Sequence, residues 1–193
     1  RDVPVEDPSL SILVADTHVK HSLATSAYNQ RREECETAVR LLQKALPHIR
    51  ALRDVSPQDF TEHSHLLPEP LLRRARHVVT ENDRVLQTVA LLQEKQFGAI
   101  GRLLVDSHRS LQHDYEVSCR ELDFLVDTAL QQEGVLGARM TGGGFGGSIV
   151  CLVRTAALEE VKSALSREFV RELGQHPGFF VTKGGQGVCE IHE

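Results

Sequence analysis

The chain has 193 residues, 40% of them apolar and 25% charged, with a formal net charge of -5. That apolar share is enough for one sizeable core or two small ones, and the acidic balance without a long Lys/Arg block argues against a nucleic-acid partner. The longest apolar run, Ile149 to Val153, is far shorter than the roughly 20 residues that span a bilayer, so no membrane partner is expected.

Four cysteines, Cys35, Cys119, Cys151 and Cys189, stand far apart, without the close spacing of a zinc site or a redox pair. They read as reduced thiols in a cytoplasmic protein, and no metal site is expected from them. The chain opens with Arg1 and its only methionine is Met140, so it reads as a piece of a longer protein.

Ser9 to Ala15, SLSILVA, predicts a buried strand between Asp7-Pro8 and Asp16. Apolar residues at Cys35, Ala38, Val39, Leu42, Ala45 and Leu46 then give one helical face, ended by Pro47. Ser56-Pro57-Gln58-Asp59 opens a second helix: Ser56 caps, Pro57 needs no donor at the first position, and Asp59 meets the positive end of the dipole.

After Pro70, the spacing of Leu71, Leu72, Ala75, Val78, Val79, Leu86 and Val89 predicts a long helix, and Ile100, Leu103, Leu104 and Leu111 mark another. Ser118 and Glu121 have capping-box spacing before a helix that buries Leu122, Leu125, Val126, Ala129 and Leu130, with Gly134 closing it.

The period then changes. Ala138 to Thr141 and Ser148 to Val153 read as two strands around GGGFGG, followed by a helix with Leu158, Val161, Leu165, Phe169 and Val170 inward. Phe179 to Thr182 and Val188 to Ile191 predict a closing hairpin turned by Gly184, Gly185 and Gly187. The order is α+β: an antiparallel sheet packed against several helices.

Gly142, Gly143, Gly144, Gly146 and Gly147 put five glycines in six positions. Each costs about 0.5–1 kcal/mol relative to alanine in ordered structure. Two readings stay open: backbone amides turned toward a phosphate, or a tight turn in close contact with other backbone. Gly142, Gly144 and Gly147 formally satisfy GxGxxG, but a strand rather than a helix follows, and no GK[ST] ends the loop, so dinucleotide and P-loop readings both fail.

MTGGGFGG, Met140 to Gly147, resembles the third motif of the GHMP small-molecule kinases. VKHSLATSAYNQRREEC from Val19, RARHVVTEN from Arg74, and LLVDSHRSLQHDYEVSCRELDFLV from Leu103 resemble galactokinase segments in the same order. The resemblance covers nearly the whole chain. It implies a single unit over residues 1–193, the C-terminal lobe of a two-lobed kinase that phosphorylates galactose at its anomeric hydroxyl with ATP and Mg2+. It also implies that the catalytic Asp, the magnesium ligand and the main ATP-phosphate loop belong to an N-terminal lobe missing here, so the isolated chain is expected to be inactive.

By the same resemblance, Tyr28 falls where galactokinases place a sugar-binding tyrosine. Lys20 takes a basic position near the transferring phosphate, and the glycine loop braces the other lobe's phosphate loop or approaches the reactants. Two departures stand out. Asp16-Thr17-His18 replaces the family's common Asn, Ser or Thr, and Asn; Ser148 replaces a common Cys.

Taken without the resemblance, Tyr28 is an ordinary amphipathic-helix residue, and Lys20 and Arg31 are solvated charges. Ser107 and His108 extend an apolar stripe and read as a hydrogen-bonded core pair. A triad of Ser107, His108 and Asp114 is rejected, because adjacent helical residues point in different directions. His63 and His65 have the wrong spacing for two ligands on one helix face.

Two functions from different classes remain: a galactokinase, or a sugar- and ATP-binding sensor of the same family without turnover. An amino-sugar kinase is a third reading, disfavoured by YNQRREEC.

Overall fold

The computed structural model describes residues 7–20 and 24–183, with backbone alone for Lys20, Ala24 and Thr25. Strand β1 spans Leu10–Lys20, longer than its apolar half predicts, because the polar Asp16 to Lys20 continue the ladder. Two strands after the central helices, β2 (Val135–Thr141) and β3 (Gly146–Arg154), and a last strand, β4 (Gly178–Thr182), complete the sheet. Its order is β2-β3-β1-β4, and all three pairings are antiparallel.

Strand parity decides which side chains meet the helices. Ser11, Leu13, Ala15 and Thr17 are at most 2% exposed, and their partners on β3 put Ile149, Cys151 and Val153 on the same face. Helices α5 (Arg120–Leu130) and α6 (Leu158–Leu173) cover that face with Leu122, Leu125, Val126, Val161, Leu165 and Phe169. Each side chain of this size stabilises the fold by roughly 1.5–3 kcal/mol on full burial.

Leu10 and Leu152, of opposite parity, pack with Ile100 of α4 (Phe97–His113). There α4 and β2 approach backbone to backbone: a Cβ on Gly101 would lie 1.9 Å from the Leu136 carbonyl oxygen, so only glycine fits. A separate helical core joins α1 (Ala24–Leu42) and α3 (Leu71–Gln93) through Ala38, Leu42, Ile49, Leu67, Ala75 and Val79, with the partly buried Phe60 of α2 (Pro57–His63) packed against it.

The cap expected on α2 forms: Ser56 Oγ accepts from the Asp59 N–H at 3.0 Å, and Asp59 Oδ2 accepts from the Ser56 N–H at 3.3 Å. Other expectations need correction. Helix α1 stops at Leu42, before Pro47, and the turns that follow leave Ala45 exposed while Leu46 stays buried. Leu86 is 70% exposed rather than part of the buried face of α3.

Helix α5 begins one residue later than the capping-box spacing predicts. Its N-cap is Cys119, which makes no side-chain cap, and the Ser118 hydroxyl donates to Asp123 instead. Strand β3 begins at Gly146, two residues earlier than predicted, so the last two glycines of the loop motif also open the strand. Strand β4 pairs with β1, and the expected partner strand Val188 to Ile191, with its glycine turn, lies outside the described residues.

Candidate functional site

The loop between β2 and β3 is wound left-handed. Gly142, Gly144, Gly146 and Gly147 have φ of 81°, 83°, 116° and 88°, and Phe145, the one non-glycine, has 58°. Its crest is anchored from outside: the Phe145 N–H donates to the Val117 carbonyl at 2.7 Å. A Cβ on Gly144 would sit 2.2 Å from that same oxygen. Gly143 differs, with nothing within 4 Å of where a Cβ would stand and no left-handed φ. Nothing in the described residues demands glycine there.

The β3 end of the loop is held by Thr17, fully buried, whose hydroxyl donates to the Gly147 carbonyl at 2.8 Å. Around it β1 bulges: Asp16 faces Ser148 and Lys20 faces Gly146, so four steps on β1 match two on β3. Extra residues bend a strand, and His18 takes φ 56°, with its N–H donating to Asp16 Oδ1 at 2.9 Å. Asp16, Thr17 and His18 thus shape the backbone here. The bulge puts the Lys20 backbone beside the glycine loop; its side chain lies outside the described residues.

Tyr28 sits on the first turns of α1, 58% exposed. It lines an open groove of about 760 Å³ with Arg32, Cys35, Arg53, Asn82 and Tyr115. Tyr115 closes the inner end: its hydroxyl lies 3.6 Å from Cys35 Sγ and its ring stacks on His77 with centroids 4.6 Å apart. Burial, and then the contact with Cys35, pushes the Tyr115 phenol above its ordinary range.

Between Tyr28 and the loop runs the segment 114–117, and here the reading of Arg31 as a solvated charge is corrected. Its side chain is 11% exposed, and it donates from Nε to the Tyr115 carbonyl at 2.6 Å and from Nη2 to the Glu116 carbonyl at 3.1 Å. Arg74, 3% exposed, donates to the Asp114 carbonyl at 2.6 Å, to Glu34 Oε2 at 2.7 Å and to Glu116 Oε2 at 2.5 Å. Hydrogen bonds from Arg73 and then Arg74 hold the Glu116 carboxyl below its usual range. No local pattern could have found this cluster, because Glu34 and Arg74 are 40 residues apart in sequence.

Ser107 and His108 are both buried, as the stripe predicts, but they are not bonded as a pair. Ser107 donates to Glu81 at 2.7 Å, while His108 Nδ1 accepts from the Met140 N–H at 3.3 Å. Asp114 instead meets Arg76 and Ser110, so the rejected triad is not assembled.

Residues 88–171 match the family model described as GHMP kinases C terminal. A galactokinase of Roseiflexus sp. (strain RS-1) is 47% identical over 191 residues, which is 99% of this chain and 49% of that protein. A galactokinase of Thermotoga neapolitana is 45% identical over 189 residues, 98% of this chain and 51% of the relative. The crystal structure of Lactococcus lactis galactokinase complexed with galactose superposes with a TM-score of 0.90 at 36% identity, over 97% of this chain and 48% of that one.

Along nearly its whole length, this chain is similar to galactokinases. It spans about half the length of the curated galactokinases it matches. The fold extends beyond galactokinases: Leishmania major mevalonate kinase in complex with R-mevalonate aligns over 92% of the chain with a TM-score of 0.54 at 18% identity. Among the described residues, no helix is long and apolar enough to cross a membrane.

Proposed function

We infer that this chain is the C-terminal lobe of an ATP-dependent galactose 1-phosphotransferase, one domain over residues 1–193, whose catalytic Asp and main phosphate loop lie in a second lobe. The observation that carries this reading is the match over 97% of the chain, at a TM-score of 0.90, to a galactokinase complexed with galactose. Similarity to galactokinases over 99% of the chain at 47% identity supports it.

In this reading the anomeric oxygen of galactose bonds to the γ-phosphorus of MgATP as the β–γ bridging bond breaks, ADP leaves, and the hydroxyl proton passes to a base in the other lobe. Tyr28 offers its phenol to the sugar. An exposed hydroxyl on a rigid ring, with no hydrogen bond to a described residue, suits that task. The loop of Gly142, Gly143, Gly144, Gly146 and Gly147 stands on the phosphate side, where the open surface at Gly142 and Gly143 admits another backbone or a ligand. Lys20, on the strand beside it, is assigned to the same side through its backbone position.

In the same reading, the resemblance to galactokinases assigns the Mg2+ ligands to the other lobe. The free thiols of Cys35, Cys119 and Cys151 agree with a reducing, cytoplasmic setting.

Galactose-dependent ADP production by the full-length protein at saturating MgATP tests the reading. Turnover is expected from the full-length protein and none from this chain alone. Galactose and ATP binding without turnover would make the protein a sensor instead.

A further inference from the structure

Four consecutive carbonyls, of Asp114, Tyr115, Glu116 and Val117, are each taken by a donor from a distant part of the chain. Arg74 takes the first, Arg31 the second and third, and the Phe145 N–H of the glycine loop the fourth. The segment makes a sharp turn, with Glu116 at φ 53°, and its own amides at Tyr115 and Val117 return to the Ser110 and Leu111 carbonyls. It therefore has no carbonyl left to slip to another register.

We propose that Arg31 and Arg74 are positioning residues that fix the Tyr28 helix relative to the glycine loop by clamping residues 114–117. The inference rests on the galactokinase reading, in which Tyr28 faces the sugar and the loop the phosphate.

Tyr28 and Arg31 lie three residues apart on α1, hence on neighbouring positions of one face. Arg31 ties that face to Tyr115 and Glu116, and the next carbonyl holds the loop crest. The two proposed half-sites are thus separated by a single clamped segment. Glu34 joins the clamp, accepting from Arg31 at 3.2 Å and from Arg74 at 2.7 Å through one oxygen.

A buried cluster of this kind is a poor stability device, since desolvating two guanidinium groups offsets most of the attraction gained. Its strength is geometric: a planar fork meets two acceptors in one orientation, which a lysine ammonium cannot reproduce. That is the property an in-line transfer between two separately held reactants requires.

The test uses Arg31→Lys in the full-length protein, with Leu42→Ala in the helical core as a control of matched or larger thermal destabilisation. Expected for Arg31→Lys is a kcat lower on the order of 10- to 100-fold, with KM for galactose and for ATP within about twofold, because each half-site stays intact while their alignment is lost. Amide exchange in a peptide covering residues 142–147 should also rise about tenfold as the Phe145 bond opens more often. Leu42→Ala should change neither.

An unchanged kcat and loop exchange in folded Arg31→Lys overturns the proposal, as does an equal kcat loss in Leu42→Ala. If Arg31→Lys does not fold, Glu116→Gln, which weakens the outer contact of Arg74, is read by the same two measurements. Absence of turnover in the unmutated protein would instead remove the galactokinase reading, and the exchange result would still decide whether the clamp holds the loop.

Discussion

The Phe145 N–H and the Val117 carbonyl, 2.7 Å apart, join the glycine loop to the turn between α4 and α5. Because the loop passes over this carbonyl at Gly144, a methyl group there meets the same oxygen at 2.2 Å while the backbone sits at φ 83°. Gly144→Ala therefore combines a left-handed alanine with a backbone clash. The expected cost is on the order of 3 kcal/mol, enough to displace the loop rather than relax locally. Urea denaturation should show a lower midpoint with an unchanged slope; a midpoint equal to the unmutated protein's would mean that the contact is not made in solution.

Gly143 makes the opposite case. With open space around it and no left-handed φ, Gly143→Ala should leave stability within about 0.5 kcal/mol. Any loss of kcat/KM in the full-length protein then reports something approaching the loop from outside the chain. A fall in kcat/KM for ATP with an unmoved melting temperature is expected. Unaltered kinetics would place the reactants and the other lobe away from this residue.

Local chemistry was legible where it stayed local. Ser56, Pro57 and Asp59 lie within one turn, so their cap could be read directly, and the inward residues of β3 and α6 follow their periods. Strand β1 was half legible, since Asp16 to Lys20 have no apolar alternation and are held by neighbours on β3 and by the Thr17 hydroxyl. Ser118 misled because its hydroxyl had a competing acceptor in Asp123. For the candidate site, the glycine loop and Tyr28 were visible as motifs. The Arg31–Arg74 clamp was not, because its acceptors are main-chain carbonyls that no side-chain pattern announces.

Tyr28 is a clean probe because the fold makes little use of its phenol. It is 58% exposed, and its hydroxyl has no hydrogen bond to a described residue. Tyr28→Phe should thus leave the melting temperature in place. In the full-length protein the KM for galactose should rise roughly 3- to 10-fold, the worth of one hydroxyl hydrogen bond, with little change for ATP. Steady-state kinetics in both substrates measures this, and an unmoved galactose KM removes Tyr28 from the sugar site.

His77 gives a prediction about pH. Burial is the main cause that lowers its pKa from 6.5 to about 4, partly opposed by Glu81 and Asp114 and reinforced by Arg84 and Arg139. The imidazole is neutral in the fold, with Nδ1 2.9 Å from Ser110 Oγ and its ring stacked on Tyr115. The unfolded chain takes up the proton first as pH falls, so this contribution is complete above about 6.5 and is lost progressively toward about 4, stability rising with pH between them. Replacing His77 with Gln keeps an amide that bonds Ser110 but removes the titration. Between about pH 6.5 and 4.5, the unfolding free energy of His77→Gln should therefore fall less steeply than that of the unmutated protein, by a slope of roughly one proton. Urea denaturation across this range measures both slopes, and parallel curves would show that His77 is not held neutral by the fold.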